Sequence, residues 1–495
     1  MPGLNSSLYI GLTGLSASQS ALNVVGHNIA NVNTPGYTRQ RADLSSNVAS
    51  AQGQVYFGTG VSLNSISGIR DKFLDLQIYK ETAVQTGADQ RYSTVNAIAT
   101  SLGDTSSSGL GAQIQSFFQS FQDLAASPES TALRTNVVGK AQTMITSLKT
   151  QYSMLDDQRR SADQSVGDLV AQVNSLTSQI AKLNDQITST VPVGSNNDAI
   201  DQRKALTDKL SSLVGINVFE GSKGEYQITI DSGSATLVSG SHAYTLTAAQ
   251  GAGPGGMSAV MSNMGPTATD VTAGIKNGQL GAQLDIRDNL LSGFQQQLDQ
   301  VAAGISSQVN LIHQTGYGIN TLSAANHGTD FFQTSVANGV NGLPPSITAA
   351  TFYKGMVSSL SVNSTILGDP SLIATAGAAG AIGDNTNANA IANLQSATNT
   401  VDTNGNGVGD SGPFSSSIAS LVGDLGTQVQ KYQTQSTTQQ NLVAALQNQR
   451  DQVSGVNLDE EAANMMNLQR GYQASARFIN VINTLTEQLV SQFGQ

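Results

Sequence analysis

The sequence predicts an α+β protein that is mainly α, with paired terminal helices, a long helical rod and a small inserted β-rich domain distal to the termini. Three observations predict it. Apolar residues recur at heptad spacing at both extreme ends: Leu8, Leu15, Leu22 and Ile29 at one, Leu458, Met465, Tyr472 and Ile479 at the other. A nearly unbroken heptad runs from Ala141 through Ile145, Leu148, Tyr152, Leu155, Ala162, Val166, Leu169, Val173, Leu176, Ile180 and Leu183 to Ile187. Over residues 216–271 the apolar period changes to two, as in Tyr226, Ile228 and Ile230.

The N-terminal seam is filled out by Leu12, Val25 and Val32, and the C-terminal seam by Leu468, Ile482 and Leu489. An isolated helix of this length is marginal in water, so each seam needs a partner. The simplest partner for one end is the other end. The first Lys or Arg is Arg39 and the first acid Asp43. A stretch so free of charge suits a surface buried late, against copies or partners. Thr34-Pro35-Gly36 is turn chemistry, because Pro fixes φ and Gly accepts a positive one, so the helix ends near Asn31. Short β-like pieces follow at Val55-Tyr56-Phe57 and Val61-Ser62-Leu63. Helical patterning resumes at Ile69 and runs to about Leu102, before a Gly/Ser break from Gly103 to Gly111.

Ser127-Pro128-Glu129 predicts a helix start, with a Ser cap, Pro in the first turn and an acid beside the dipole. The heptad stretch beyond it is a rod of roughly 70 Å at 1.5 Å per residue. Only Arg159 interrupts its seam, and Pro192 stops it. A shorter helix from Asp198 to about Val214 folds back. Gly221, Gly224, Gly233 and Gly240 supply the turns of the β insert. Helical period returns at Leu280 and continues through Leu291, Leu298 and Ile305 to Ile312. Residues 316–412 are Gly/Asn/Ala-rich and read as loops and short elements. A last rod helix spans about Phe414 to Val453, its seam diluted by Gln428, Gln435 and Gln439. Gly455 breaks it, and Asn457 caps the terminal helix, with Asp459, Glu460 and Glu461 in its first turn.

The predicted organisation is nested. Residues 1–38 with 457–495 form an innermost terminal coiled-coil domain. Residues 39–215, 272–325 and 413–456 form the rod, with a β-containing segment near 40–68. Residues 216–271 are the outer β-rich domain and 326–412 a loop-rich segment with short elements.

Composition narrows the function. A chain of 495 residues holds about two to four domains. The absence of Cys excludes disulfides, thiolate chemistry and cysteine zinc sites. A net charge of −11 argues against a nucleic-acid surface. No apolar run approaches membrane-spanning length, and the N-terminus lacks the charge pattern of a cleaved secretory signal. Gly409-Asp410-Ser411-Gly412-Pro413 has the look of a serine-protease nucleophile segment, but it leads straight into a helical heptad with no matching histidine context, so it reads as a helix-entry loop. Asp402, Asn404, Asn406 and Asp410 match the first half of a calcium loop, yet Pro413 stands where the bidentate Glu belongs. His27, His242, His313 and His327 are scattered. Nothing points to an enzyme, a cofactor or a metal. The expected role of the two stripes is subunit packing, carried by Leu8, Leu12, Leu15, Leu22, Val25, Ile29, Leu458, Met465, Leu468, Tyr472, Ile479, Ile482 and Leu489.

One segment goes further. Gly26-His27-Asn28-Ile29-Ala30-Asn31-Val32-Asn33-Thr34-Pro35-Gly36-Tyr37 resembles the N-terminal signature of bacterial flagellar rod, hook and hook-associated axial proteins. Thr38-Arg39-Gln40, with Ser454-Gly455-Val456-Asn457-Leu458-Asp459-Glu460-Glu461 and Tyr472-Gln473-Ala474-Ser475-Ala476, narrows the resemblance to the hook-associated protein 1 family. Gly58-Thr59-Gly60-Val61, Arg70-Asp71-Lys72-Phe73-Leu74, Gly281 to Arg287-Asp288 with Val309-Asn310, and Gly383-Asp384-Asn385 support it. Asn320-Thr321-Leu322 departs from the family's Asn-Gly turn, although the Phe331-Phe332 pair is present.

The resemblance implies a secreted structural protein of the extracellular flagellum, forming the junction between hook and filament. It implies export without a cleaved signal through the flagellar type III apparatus, and termini that fold on assembly. The implied partners are copies of the chain in a ring, hook protein below, the next junction protein (hook-associated protein 3) above, and a cytoplasmic export chaperone. The chaperone would bind Met465, Leu468, Tyr472, Ile479, Ile482 and Leu489. Two alternatives stand beside this reading: another axial protein such as hook protein, or a secreted adhesin or hydrolase carried on a flagellar scaffold. The first would lack a rod as long as residues 129–190. The second would need a coherent site in 216–271 or 316–412, and none is found.

Overall fold

The computed structural model describes residues 2–34, 36–52, 55–102, 109–190, 196–319, 328–335, 354–397 and 414–493. Pro35, Pro192, His327, the Asn320-Thr321-Leu322 stretch and the 402–413 segment lie outside the described residues.

Helix α1 is Pro2–Ala30. Strands β1 (Gln40–Ser46), β2 (Ser50–Gln52), β3 (Val55–Phe57) and β4 (Val61–Gly68) then form one long two-stranded ribbon, β1 pairing with β4 and β2 with β3. Four helices follow: α2 (Lys72–Leu102), α3 (Leu110–Ala126), α4 (Thr131–Ser189) and α5 (Asn197–Leu213). The insert holds two antiparallel sheets. One is a meander of β5 (Ile216–Glu220), β6 (Tyr226–Ile230), β7 (Thr236–Ser239) and β8 (His242–Ala243). The other joins β9 (Leu246–Ala249), β10 (Ala259–Ser262) and β11 (Thr269–Asp270). Helix α6 (Gly278–Asp285) passes through a π turn at Ile286–Leu290 into α7 (Leu291–Thr315). Short elements come next: β12 (Phe332–Gln333), α8 (Met356–Ser359), β13 (Ser361–Val362), α9 (Ser364–Gly368) and α10 (Thr386–Asn393). Two long helices close the chain, α11 (Phe414–Ser454) and α12 (Leu458–Phe493). The fold is α+β and mainly α, with its β insert between long helices.

Helix α4 is the spine. Its 59 residues span about 88 Å. Its two halves serve two cores. The first half buries Val137, Met144, Leu148 and Leu155 against Phe117, Phe118 and Phe121 of α3, the Leu298–Ile305 face of α7, and Phe331, Phe332 and Phe414. The aromatic rings interlock, with Phe331 and Phe332 at 4.9 Å and near perpendicular. The second half buries Val166, Val173 and Ile180 against Leu210, Ile228, Ile230, Val238, Leu246, Val260 and Leu280.

Two sequence expectations need correcting along this spine. The helix starts at Thr131, and its cap is Ser130, whose side chain accepts from the Leu133 amide, not Ser127. Ser127 instead ends α3, and the Arg134 guanidinium, fully buried, donates to the Pro128 carbonyl and so fixes the intervening turn. Arg159, which breaks the seam on paper, is buried at the waist between the cores. It donates to the Arg287 carbonyl (3.1 Å) and to Gln295 Oε1 (3.0 Å). Arg287, also buried, donates to Asp163 (2.6 Å), Asp288 (2.7 Å) and the Ser258 carbonyl (2.7 Å). One polar network thus ties the rod, the π turn and the β insert.

The described part of 328–397 is pinned to α7 by buried polar groups. His313 receives the Ala374 amide at Nε2 (3.0 Å), so its Nδ1 carries the proton given to the Thr329 carbonyl. Asp299 accepts from the Gly355 and Val357 amides at 2.9 and 2.8 Å. Helix α11 lies along α2, where Leu74, Ile78 and Leu446 are buried together. Ser436 and Gln440 donate to Asp89 there.

Candidate subunit-packing surface

Helices α1 and α12 pack antiparallel. Gly11 faces Ile479, Gly14 faces Ser475, and Gly471 faces Ser18. A Cβ on Gly11 would stand 2.8 Å from Ile479 Cγ1, and one on Gly14 3.1 Å from Ser475 Oγ, so the approach depends on small residues. At the far end of the same register Asn28 meets Glu461.

The residues buried on α1 are Gly11, Ala17, Ala21, Val24, Val25 and Asn28. This line is one position off the heptad row read from sequence. Leu8, Leu15, Leu22 and Ile29 are half-buried, Val25 is buried, and Leu12 is 51% exposed. On α12, Ile482 is buried and Met465, Leu468, Tyr472, Ile479 and Leu489 are half-buried. Leu458 is 51% exposed, and Phe478, Val481 and Leu485 add an uncovered row three and four residues apart. The physical reason is helix spacing: small side chains bring the two helices close, and the large ones splay to the flanks of the contact. Each single chain therefore leaves much of both stripes open to water.

A polar knot locks the base of the pair. Asn28, 1% exposed, uses its full hydrogen-bonding capacity. Its Nδ2 donates to the Gln40 carbonyl (2.8 Å) and Glu461 Oε2 (3.1 Å). Its Oδ1 accepts from the Gln40 amide (2.9 Å) and the Tyr37 hydroxyl (2.8 Å). That hydroxyl also lies 3.0 Å from His27 Nδ1. Glu461, 2% exposed, accepts from Arg39 Nε at 2.7 Å, and Glu460 accepts from Arg39 Nη1 at 2.7 Å. The Arg39 amide donates to the Ser454 carbonyl (2.9 Å), and the Thr38 amide to Asp201 (3.0 Å). Asn457 caps α12 through the Asp459 amide. Burial pushes the Tyr37 hydroxyl and the Asp201 carboxyl up, the former helped by Asp201, Asp198 and Glu461.

The knot is made of the motif residues at the two ends of the chain; the sequence marks Asn457, Glu460 and Glu461 as helix-start residues but not the bonds that join the two ends. The signal was present in Asn28 and Glu461, polar residues on helices with apolar seams, and in Tyr37 and Arg39 of the turn after α1. Among the described residues no group of three His, Cys, Asp or Glu side chains converges to hold a metal, and no helix is long and apolar enough to cross a membrane.

Comparison with known proteins finds relatives over almost the whole chain. A family model described as the flagellar hook-associated protein FlgK helical domain matches residues 95–332. Models for the flagella basal body rod protein and the flagellar basal body rod FlgEFG protein C-terminal match residues 8–38 and 447–492. Flagellar hook-associated protein 1 of Salmonella typhimurium (strain LT2) is 32% identical, covering 99% of this chain and 100% of its own. Its namesakes from Escherichia coli (strain K12) and Bacillus subtilis (strain 168) are 29% and 28% identical, each over 99% of this chain and 100% and 99% of their own. The solved structure of the flagellar hook junction protein FlgK from Burkholderia pseudomallei superposes with a TM-score of 0.64 at 18% identity, covering 76% of this chain and 100% of that one. That likeness is one of fold.

Proposed function

The chain belongs to the flagellar hook-associated protein 1 family, and from that premise we propose that the α1–α12 pair is the surface through which its copies assemble. The protein is a structural component of the bacterial flagellum at the junction between hook and filament. It works among other hook and filament components, outside the cell. The alternatives, another axial protein or a scaffolded adhesin or hydrolase, are not favoured by relatives that match from end to end.

The observation that carries the assembly reading is the half-open condition of two long uncharged seams, held side by side by a knot centred on a fully hydrogen-bonded Asn28. Water cannot stabilise such rows, but neighbouring copies can bury them. Leu8, Leu12, Leu15, Leu22 and Ile29 would pack copy on copy beside Met465, Leu468, Tyr472, Ile479 and Leu489. Residues 1–38 and 457–495 act as the innermost domain, and the rod and the β insert stand outside it. The neighbours we propose are hook protein below and hook-associated protein 3 above. Before export the C-terminal stripe is held by a cytoplasmic chaperone, and the chain leaves unfolded through the type III apparatus.

The test is Leu468→Asp and Ile479→Asp. Each variant should keep a folded rod yet lose both filament assembly and chaperone binding. Normal secretion and normal filaments in either variant would remove the stripe from the account.

A further inference from the structure

The ribbon of β1–β4 has two very different halves. Its root is fastened. The Val61 amide donates to Thr13 Oγ1 of α1 (3.4 Å), Asn197 of α5 donates to the Ile66 carbonyl (2.7 Å), and Gln40 is held by Asn28. Gly60 has φ +109°, and a Cβ there would stand 2.1 Å from Thr13 Oγ1, so only glycine allows this seat.

The outer half is bare. Val48 is 92% exposed and Tyr56 75%, with Phe57 also open. Tyr56 and Phe57 are consecutive in a strand and so present opposite faces. Their cross-strand partners are Ala51 and Ser50, too small to cover them. Both sheets of the ribbon are only two strands wide, so each strand has a free edge among the described residues. Exposed edges are ordinarily blunted by charge, yet residues 44–69 contain no Lys, Arg, Asp or Glu. A hairpin two strands wide is marginal in water by itself.

We propose that the outer half of this ribbon is an interaction surface for a second copy of the chain, reaching from α1 to be covered by the neighbouring subunit. The inference rests on the assembly reading above. Two facts select the occupant. The root is bolted to α1, so the ribbon is carried wherever that seam packs and continues the same surface. Its chemistry also matches the N-terminal half of this chain's own innermost layer, α1, which has no Lys, Arg, Asp or Glu. Within residues 1–69 the only charged side chains are Arg39, Arg41 and Asp43, while the whole chain carries −11. Arg39 is tied to Glu460 and Glu461, and Arg41 to Asp43. An uncharged ribbon with free edges is complementary to another copy's ribbon and uncharged α1, through main-chain pairing and aromatic contact.

The chain has no cysteine, so single thiols report without background. Leu12→Cys on the seam, Tyr56→Cys on the ribbon and Met264→Cys on the exposed outer insert are reacted with a maleimide, both in full-length monomer and in isolated flagella. All three should label in the monomer. In flagella the first two should lose labelling and the third keep it. Loss at Leu12→Cys with retention at Tyr56→Cys overturns the ribbon proposal and leaves the assembly reading standing. Retention at both overturns the reading as well. A photo-reactive benzoylphenylalanine in place of Tyr56 identifies the neighbour in intact flagella. An adduct of twice the chain mass supports the proposal, and an adduct confined to another flagellar protein overturns it.

Discussion

Asn28 and Glu461 are 433 residues apart in sequence and share a hydrogen bond of 3.1 Å with both side chains almost fully buried. The bond joins the last turns of α1 to the first turn of α12. It makes folding of either end conditional on the other, because each would otherwise bury a polar group without its partner.

Replacing Asn28 with Ala orphans the Gln40 backbone and Glu461 Oε2. Leaving buried polar groups unmade costs about 2 kcal/mol. In isolated flagella of the Asn28→Ala strain, amide exchange in residues 2–30 and 458–493 should speed up about thirtyfold, at 1.4 kcal/mol per decade, with residues 137–187 unchanged. Equal exchange in the two strains would show that the knot does not hold the ends together.

Arg287→Met removes the cation that Asp163 and Asp288 share at the waist of α4. Stripping one partner from a buried ion pair costs about 3 kcal/mol or more. Thermal unfolding of the variant should therefore begin at the contact between the β insert and the rod. A melting curve superimposable on that of the native chain would contradict the assignment.

His313 and Asp299 give opposite pH signatures. Burial lowers the His313 imidazole to about 4 from 6.5, so its contribution is full above pH 6.5 and is lost as pH falls through 4. Burial raises the Asp299 carboxyl to about 6 from 3.8, so its contribution is full below pH 3.8 and is lost as pH rises through 6. Each is worth about 3 kcal/mol at 1.4 kcal/mol per unit, and over pH 4–6 they oppose one another. Relative to the native chain, His313→Gln should lose stability more steeply as pH rises across that window, and Asp299→Asn should gain it. Denaturant melts at pH 4, 5 and 6 measure both slopes; the same slope in the two variants would refute the pairing.

The long-range order of the fold was legible in the sequence wherever one face of one element repeats. The 141–187 heptad yields the α4 spine, and the alternation of Tyr226, Ile228 and Ile230 yields the insert. The ribbon was legible only in outline, as a β-containing segment near 40–68; the pairing of β1 with β4 and the tie to Asn28 were not. In Gln40-Arg41-Ala42-Asp43-Leu44 only Ala42 and Leu44 alternate with polar residues, too short a run to mark a strand, and β1 is held by a long pairing with β4 and by Asn28 rather than by a buried face. The knot was hidden for a related reason. A buried Asn or Glu satisfied by a residue hundreds of positions away looks, in sequence, like a solvated one. Heptad counting also misplaced the contact line on α1, since Gly11, Ala17 and Ala21 bury more completely than the leucines beside them.

Comparing amide hydrogen exchange in the soluble monomer and in isolated flagella tests the central claim most directly. If the terminal pair waits for neighbours, residues 2–30 and 458–493 exchange quickly in the monomer and slowly in flagella, while the core of α4 is protected in both. Strong protection of both ends in the monomer, unchanged in flagella, would mean that they already form a closed core, and would contradict assembly through these helices.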